Sequence, residues 1–238
     1  MKNKSLRYVA KNSESFLLKR MCNERADGFI KRGTFTNEIV WGNYSYIIPQ
    51  MDKKSQTSFK RGMFLFGMVR KDVKTYLNKA KFISLPKRYG QIEYNSDDVL
   101  TGVSKRITGT DLNHAYWRIA LNLGIITEYT YNKGLPDEFK SVRLAALSTM
   151  GSDKKYQKII DGELTDEVMV IEGDKDFKRV YTLIRLTCYK YMADLKKVLG
   201  DDFICYKTDC IYYIDKVKNR KLVSDFFSQK NLLMKQLE

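Results

Sequence analysis

The chain has 238 residues, enough to bury a core of ordinary size without disulfide or metal staples. It carries 43 Lys and Arg against 28 Asp and Glu, a formal charge of +15 that disfavours an acidic ligand-free surface and favours a polyanionic partner through long-range attraction and counterion release. Four cysteines (Cys22, Cys188, Cys205, Cys210) with no CxxC spacing and a single histidine, His114, leave no zinc-binding set and fit a reduced, cytoplasmic setting. The amino terminus lacks the apolar core of a signal peptide and no apolar run approaches spanning length, so neither export nor a membrane partner is expected.

Residues 13–25 read as a short helix, and 28–49 alternate Thr, Val, Ile and Tyr with polar residues as strands do. Residues 64–80 predict a second helix whose basic side carries Arg70, Lys71, Lys74 and Lys79, a face for solvent or for phosphates. Beyond residue 100 the pattern predicts a β-branched strand at 106–111, a helix at 114–123, a helix from Pro136 to Met150, a strand near 167–172 and a long helix at 177–199. FICYKTDCIYYI reads as two apolar half-strands broken at Lys207-Thr208-Asp209. Residues 217–237 read as a last amphipathic helix with Leu222, Phe226 and Leu233 on one side. No repeat or low-complexity linker interrupts the chain. The expected division is a small mixed α/β region over 1–100 and a second region over 101–238. The fold class expected is α+β, an antiparallel sheet with helices packed on one face.

Two carboxylates stand out because a strand-like run delivers each of them beside a turn or helix start. Asp111 lies in TGTDLNHAYWRIA, and Asp209 lies in the hairpin, where apolar neighbours draw the segment into a core and make an uncompensated carboxylate costly. Taken singly, Asp111 also suits a helix N-cap and Asp209 a turn. Side by side on neighbouring strands, they supply the hard oxygen ligands that magnesium prefers and leave positions for water and substrate phosphates. Such a pair supports phosphoryl transfer by two metals.

The order of the surrounding motifs sharpens this. DLNHAYWRIA resembles motif A of family B DNA polymerases, DxxSLYPSI, and YKTDCIYYI resembles their motif C, YxDTDSIYV. Between them RLAALSTMG resembles motif B, KxxxNSxYG, with Arg143 at the Lys, Ser148 at the Ser and Gly151 at the Gly. The helix leading into FICYKTDC is similar to the palm helix that precedes motif C, and the likeness covers about residues 105 to 215. Upstream, Lys87-Arg88-Tyr89-Gly90 resembles the YxGG template-binding motif of protein-primed phage polymerases.

The resemblance implies Mg2+ or Mn2+ held by Asp111, Asp209 and the backbone carbonyl of Leu112. Tyr116 would stack on the incoming sugar and exclude ribose, while N–H groups from Asn113, His114, Ala115 and Tyr116 would meet the triphosphate at a helix start. Arg143 would clamp phosphate in place of the motif B lysine, with Lys140 as a second candidate. Arg88, Tyr89, Ser148, Gly151 and Lys207 would touch nucleic acid. Plainer roles are also open: Tyr116 and Trp117 as core residues, Arg143 as a solvated helix charge.

The departures concern how the machine is built. Lys207 stands where the first Asp of DTD usually lies, His114 and Trp117 replace Ser and Pro of motif A, and Leu147 and Met150 replace Asn and Tyr of motif B. The interval from Asp111 to Arg143 leaves room for a hairpin and one helix as fingers, and the segment after Asp209 for no proper thumb. No DxE exonuclease motif occurs in the first hundred residues, Ser96-Asp97-Asp98 lacking its pattern. The expected function is a reduced, phage-type DNA polymerase or nucleotidyltransferase extending a primer 3′ end, with DNA, deoxynucleoside triphosphates and a protein that supplies grip as the expected partners. The alternatives are a degenerate palm that binds nucleic acid as a replication accessory, and a two-metal nuclease, which no additional acidic cluster recommends.

Overall fold

The computed structural model describes residues 6–10, 13–33, 36–50, 53–80, 82–95 and 106–237. In chain order the elements are β1 (Leu6–Val9), α1 (Glu14–Asn23), β2 (Gly28–Lys31), β3 (Thr36–Trp41), β4 (Tyr44–Pro49), α2 (Lys53–Gly62), α3 (Phe64–Lys79), β5 (Ile92–Tyr94), β6 (Ile107–Asn113), α4 (Ala115–Asn122), α5 (Glu128–Gly134) and α6 (Lys140–Ser148). They continue with β7 (Lys154–Ile160), β8 (Glu163–Ile171), α7 (Lys175–Leu199), β9 (Phe203–Lys207), β10 (Cys210–Ile214), α8 (Val217–Gln229) and β11 (Leu233–Leu237). The fold is α+β, and among the described residues no helix is long and apolar enough to cross a membrane. Ser96, Asp97 and Asp98 lie outside the described residues.

Two compact units divide the chain, Met1–Met63 with Gly151–Asp174, and Phe64–Met150 with Lys175–Glu238. The division expected near residue 100 therefore falls elsewhere and is discontinuous. The reason is the β7–β8 hairpin, which pairs through β7 with β2 and so returns a late segment to the amino-terminal sheet.

In the first unit the strand order is β1-β4-β3-β2-β7-β8, antiparallel except for the parallel β1–β4 pair. Ser13 caps α1 by accepting the Phe16 N–H at 3.3 Å, and Glu14 complements the helix dipole in the first turn. Leu17 and Met21, one turn apart, then bury themselves against Ile30, Ile39, Ile48 and Ile159 on the sheet.

In the second unit the order is β11-β6-β10-β9-β5, antiparallel throughout. Alternation sends Leu112, Tyr206, Ile211 and Tyr213 into a core shared with Trp117, Ile184, Met192 and Phe227 of the helices. Helices thus cover one face of this sheet, as expected. Helix α8 stops at Gln229, where a continuous helix to residue 237 was expected: Asn231 takes a left-handed φ of 53°, Leu232 is buried, and the chain returns as β11 beside β6. Leu232 anchors the turn in the core, and the open edge of β6 takes up the residues that follow as a strand in place of another turn of helix.

Candidate active site

Strands β6 and β10 are neighbours, with Asp111 opposite Cys210 and the Leu112 N–H donating to the Asp209 carbonyl at 3.0 Å. Two aspartates far apart in sequence thereby meet at one end of the sheet. Asp111 and Asn113 are half-buried on the face opposite the Leu112 side chain. The N–H and C=O of one strand residue point the same way, so the Leu112 carbonyl also faces the β9–β10 turn.

Burial, and then the Asp111 charge, push the Asp209 carboxyl above its ordinary range, while its own backbone N–H and Lys140 act in the opposite direction. Among the described residues no lysine or arginine forms an ion pair with either aspartate. This is a half-buried anionic pair without a protein counter-charge in contact. Nor do the described residues gather three or more His, Cys, Asp and Glu side chains around a metal position. The donor set is two carboxylates and a carbonyl, which fits a hard cation that keeps its remaining positions for water and phosphate oxygen.

The turn that carries Asp209 is held under strain. Thr208 adopts φ of 60°, costly for a β-branched residue. Three contacts impose it: the Thr208 N–H donates to the Gln91 carbonyl at 2.7 Å, Gln91 Nε2 donates to Thr208 Oγ1 at 3.1 Å, and the Cys188 thiol donates to the Thr208 carbonyl at 3.7 Å. His114, just after Asn113, is also left-handed, at φ of 56°, and turns the chain sharply into α4. No side chain caps α4, and the first intrahelical donor to His114 is Arg118, so the N–H groups of Ala115, Tyr116 and Trp117 open toward the end of β6.

Arg143 requires a correction. Its side chain is buried, with 1% of the residue exposed, and is engaged rather than free for phosphate. Nη1 donates to the carbonyls of Gly134, Leu135 and Pro136 at 2.7, 3.1 and 3.3 Å, and Nη2 bonds the His114 ring at 2.6 Å. A guanidinium matches several carbonyls at the end of a short helix better than it matches solvent, and the broken helix α5 supplies them. Burial, then Arg143, hold the His114 imidazole below its ordinary pKa. Lys140, one turn earlier, is exposed and within electrostatic reach of Asp209.

Tyr116 is half-buried between α4 and α7, its hydroxyl 3.3 Å from that of Tyr189 and its ring edge-on to Tyr181. Burial raises its phenol pKa strongly, so the ring stays neutral. Arg88 and Tyr89 line a 600 Å³ cleft with Gln91, Arg185 and Tyr189, and the Tyr206 hydroxyl donates to the Gly90 carbonyl at 3.2 Å. The Lys87–Gly90 segment therefore lies beside the hairpin that carries Asp209. Lys207 is exposed, in register with Cys210 and through it with Asp111. Ser148 is exposed at the end of α6, whereas Gly151 belongs to the first unit and lies against Gly173.

Sequence reasoning missed Lys235, which stands directly opposite Asp111 on β11 and is exposed. Its position was hidden by reading this stretch as helix, and Leu-Met-Lys-Gln-Leu offers no alternation of apolar with polar residues to mark it as a strand. Gln91 had no signal of its own. No protein-family model, curated protein or solved structure matches the chain. The likeness to family B polymerases therefore rests on the short motifs quoted above.

Proposed function

We propose that Asp111 and Asp209 form the centre of a reduced, family B-like DNA polymerase or nucleotidyltransferase that adds deoxynucleotides to a primer 3′ end. The observation that supports it most is the strand pairing that sets a half-buried acid pair, with no ion-pair partner among the described residues, beside an uncapped helix start. Asp111, Asp209 and the Leu112 carbonyl would hold Mg2+ or Mn2+. Bound there, divalent ions would acidify the attacking 3′ hydroxyl and neutralise charge on the departing pyrophosphate. The α4 N–H groups would orient the triphosphate, and Lys140 and Lys235 would balance its charge from two sides. Tyr116 would limit space at the sugar, while Arg88, Tyr89, Ser148 and Lys207 would touch the nucleic acid. The setting proposed is a host cytoplasm, with a protein partner supplying the grip that a thumb gives.

The engagement of Arg143 with three carbonyls favours a second reading, a palm that binds DNA as a replication accessory without chemistry. Primer extension separates the two: purified chain, Mg2+ or Mn2+, labelled deoxynucleotides and a primed template, compared with Asp209→Ala. Incorporation lost in the variant supports the enzyme. Tight DNA binding with no incorporation in either metal supports the accessory.

A further inference from the structure

Away from the acid pair, one face of the amino-terminal sheet carries an aromatic patch. Tyr8 on β1 pairs in register with Tyr46 on β4, and Trp41 on β3 pairs with Tyr44 on β4, so four rings gather on three adjacent strands. Ring centroids are 5.7 Å apart for Tyr8 and Tyr44, 6.3 Å for Tyr44 and Tyr46, and 6.2 Å for Trp41 and Tyr46. Tyr46 and Trp41 are half-buried beside the core under α1, whereas Tyr8 is 49% and Tyr44 43% exposed. Arg20, on α1, places its guanidinium 5.2 Å from the Trp41 ring while its Nε bonds Glu24 at 2.8 Å.

A core would enclose two such tyrosines, whereas here they stay exposed and lean at tilted angles on two further rings. Charge decides what the patch would receive. Residues 1–63 contain thirteen Lys and Arg against five Asp and Glu, while the acidic strand β8, with Glu163, Asp166 and Glu167, lies at the opposite edge of the sheet from β1. Exposed rings at one edge of a basic segment, with a guanidinium alongside, match the two needs of an unpaired strand: a π surface for each base and a positive field for the phosphates. A duplex hides its base faces and gains only the second.

We propose that Tyr8 and Tyr44, supported by Tyr46 and Trp41 and flanked by Arg20, form a stacking platform for single-stranded nucleic acid. The platform does not depend on the chemistry assigned to Asp111 and Asp209. The test is fluorescence anisotropy of labelled oligothymidylate, a duplex of equal length and heparin, with the full chain and with Tyr8→Ala/Tyr44→Ala and Tyr8→Phe/Tyr44→Phe. Loss of each stacked ring weakens single-strand binding by about fivefold or more. The double alanine variant is therefore expected to lose at least about tenfold for oligothymidylate, with duplex and heparin affinities little changed, and the double phenylalanine variant to bind as the parent does. Unchanged oligothymidylate affinity in the alanine variant overturns the proposal and leaves the patch to a protein partner. An equal loss for all three ligands, or an equal loss in the phenylalanine variant, overturns it as well. Should the alanine variant fail to fold, tryptophan emission of the parent protein decides: Trp117 is buried, so oligothymidylate is expected to quench Trp41, and saturating oligothymidylate without quenching refutes stacking. Asp209→Asn is expected to keep full oligothymidylate affinity, so loss of extension activity and loss of the platform are read separately.

Discussion

Replacing Asp209 with Asn should stabilise the metal-free protein and abolish its response to magnesium. The carboxylate is half-buried, faces the Asp111 charge, and has no basic side chain in contact among the described residues. Carboxylates close enough to shift one another's pKa lie within about 4–6 Å, and at the outer end of that range and an effective dielectric near 20 they repel by about 3 kcal/mol. Solvent on the open face and the Lys140 charge reduce this to about 1 kcal/mol. Asn keeps an oxygen to accept the Asp209 backbone N–H and sheds only the charge. For a chain of this length, about 1 kcal/mol corresponds to a rise in Tm of about 2–4 °C. If magnesium binds the native pair with Kd near 1 mM, 10 mM MgCl2 returns about 1.4 kcal/mol to the parent and nothing to the variant. Scanning fluorimetry across a MgCl2 series, with KCl matched for ionic strength, reads both effects. A variant that melts below the parent without metal, or gains as much from MgCl2, refutes the electrostatic account of the site.

Gly134→Ala should destabilise even though alanine is the better helix former by about 1 kcal/mol. A Cβ there would lie 2.5 Å from Trp117 Cζ2, and overpacking of a rigid indole costs about 1–3 kcal/mol, measurable as a lower midpoint in urea. Tyr131→Phe should stabilise by about 1 kcal/mol, because the Tyr131 hydroxyl is buried without a partner; a loss of stability in the same titration would mean that the hydroxyl is satisfied in solution. Arg143→Met should lower stability by about 2–4 kcal/mol by stranding the carbonyls of Gly134, Leu135 and Pro136, and an unchanged denaturation midpoint with lost nucleotide binding would restore the phosphate-clamp role. Bonds from Lys196 and Tyr206 hold the Glu93 carboxyl below its ordinary value against an opposing burial effect. Its contribution is present above the ordinary carboxylate range and is lost as pH falls through the lowered native value, so Lys196→Ala should flatten the acid limb of the stability profile.

The acid pair was legible because strand alternation and turn chemistry are local: the hairpin at Asp209 and the strand at Asp111 follow from apolar runs on either side of them. Their adjacency followed only from motif order, since register between distant strands has no local signal. The β7–β8 hairpin did have one. Asp161 and Gly162 both take positive φ, 51° and 82°, the conformation that an Asp-Gly connection favours, and that dipeptide between the two strands marks the turn. The place of β7 beside β2, and with it the discontinuous first unit, depends on pairing across more than a hundred residues, which periodicity does not encode. Arg143 misled for a related reason. An arginine on an amphipathic helix looks the same in sequence whether it faces solvent or closes the end of a neighbouring helix.

The fate of Arg143 bears on which cations could act at the site. Its guanidinium fixes the α5–α6 connection and bonds His114, whose left-handed backbone aims α4 at the end of β6. Arg143 would then affect nucleotide binding by positioning α4, with Lys140 and Lys235 left as exposed charges near the two aspartates. A positioning role and a phosphate role separate in kinetics. Lys140→Ala and Lys235→Ala should each raise the KM for nucleotide with little change in the melting temperature, because both side chains are exposed. Arg143→Lys keeps the charge but cannot reach three carbonyls and a ring together, so it should fail in stability before it fails in binding. Were Arg143→Lys to melt like the parent while Lys140→Ala bound nucleotide normally, the phosphate role would move back to Arg143 and the positioning of α4 would need another cause.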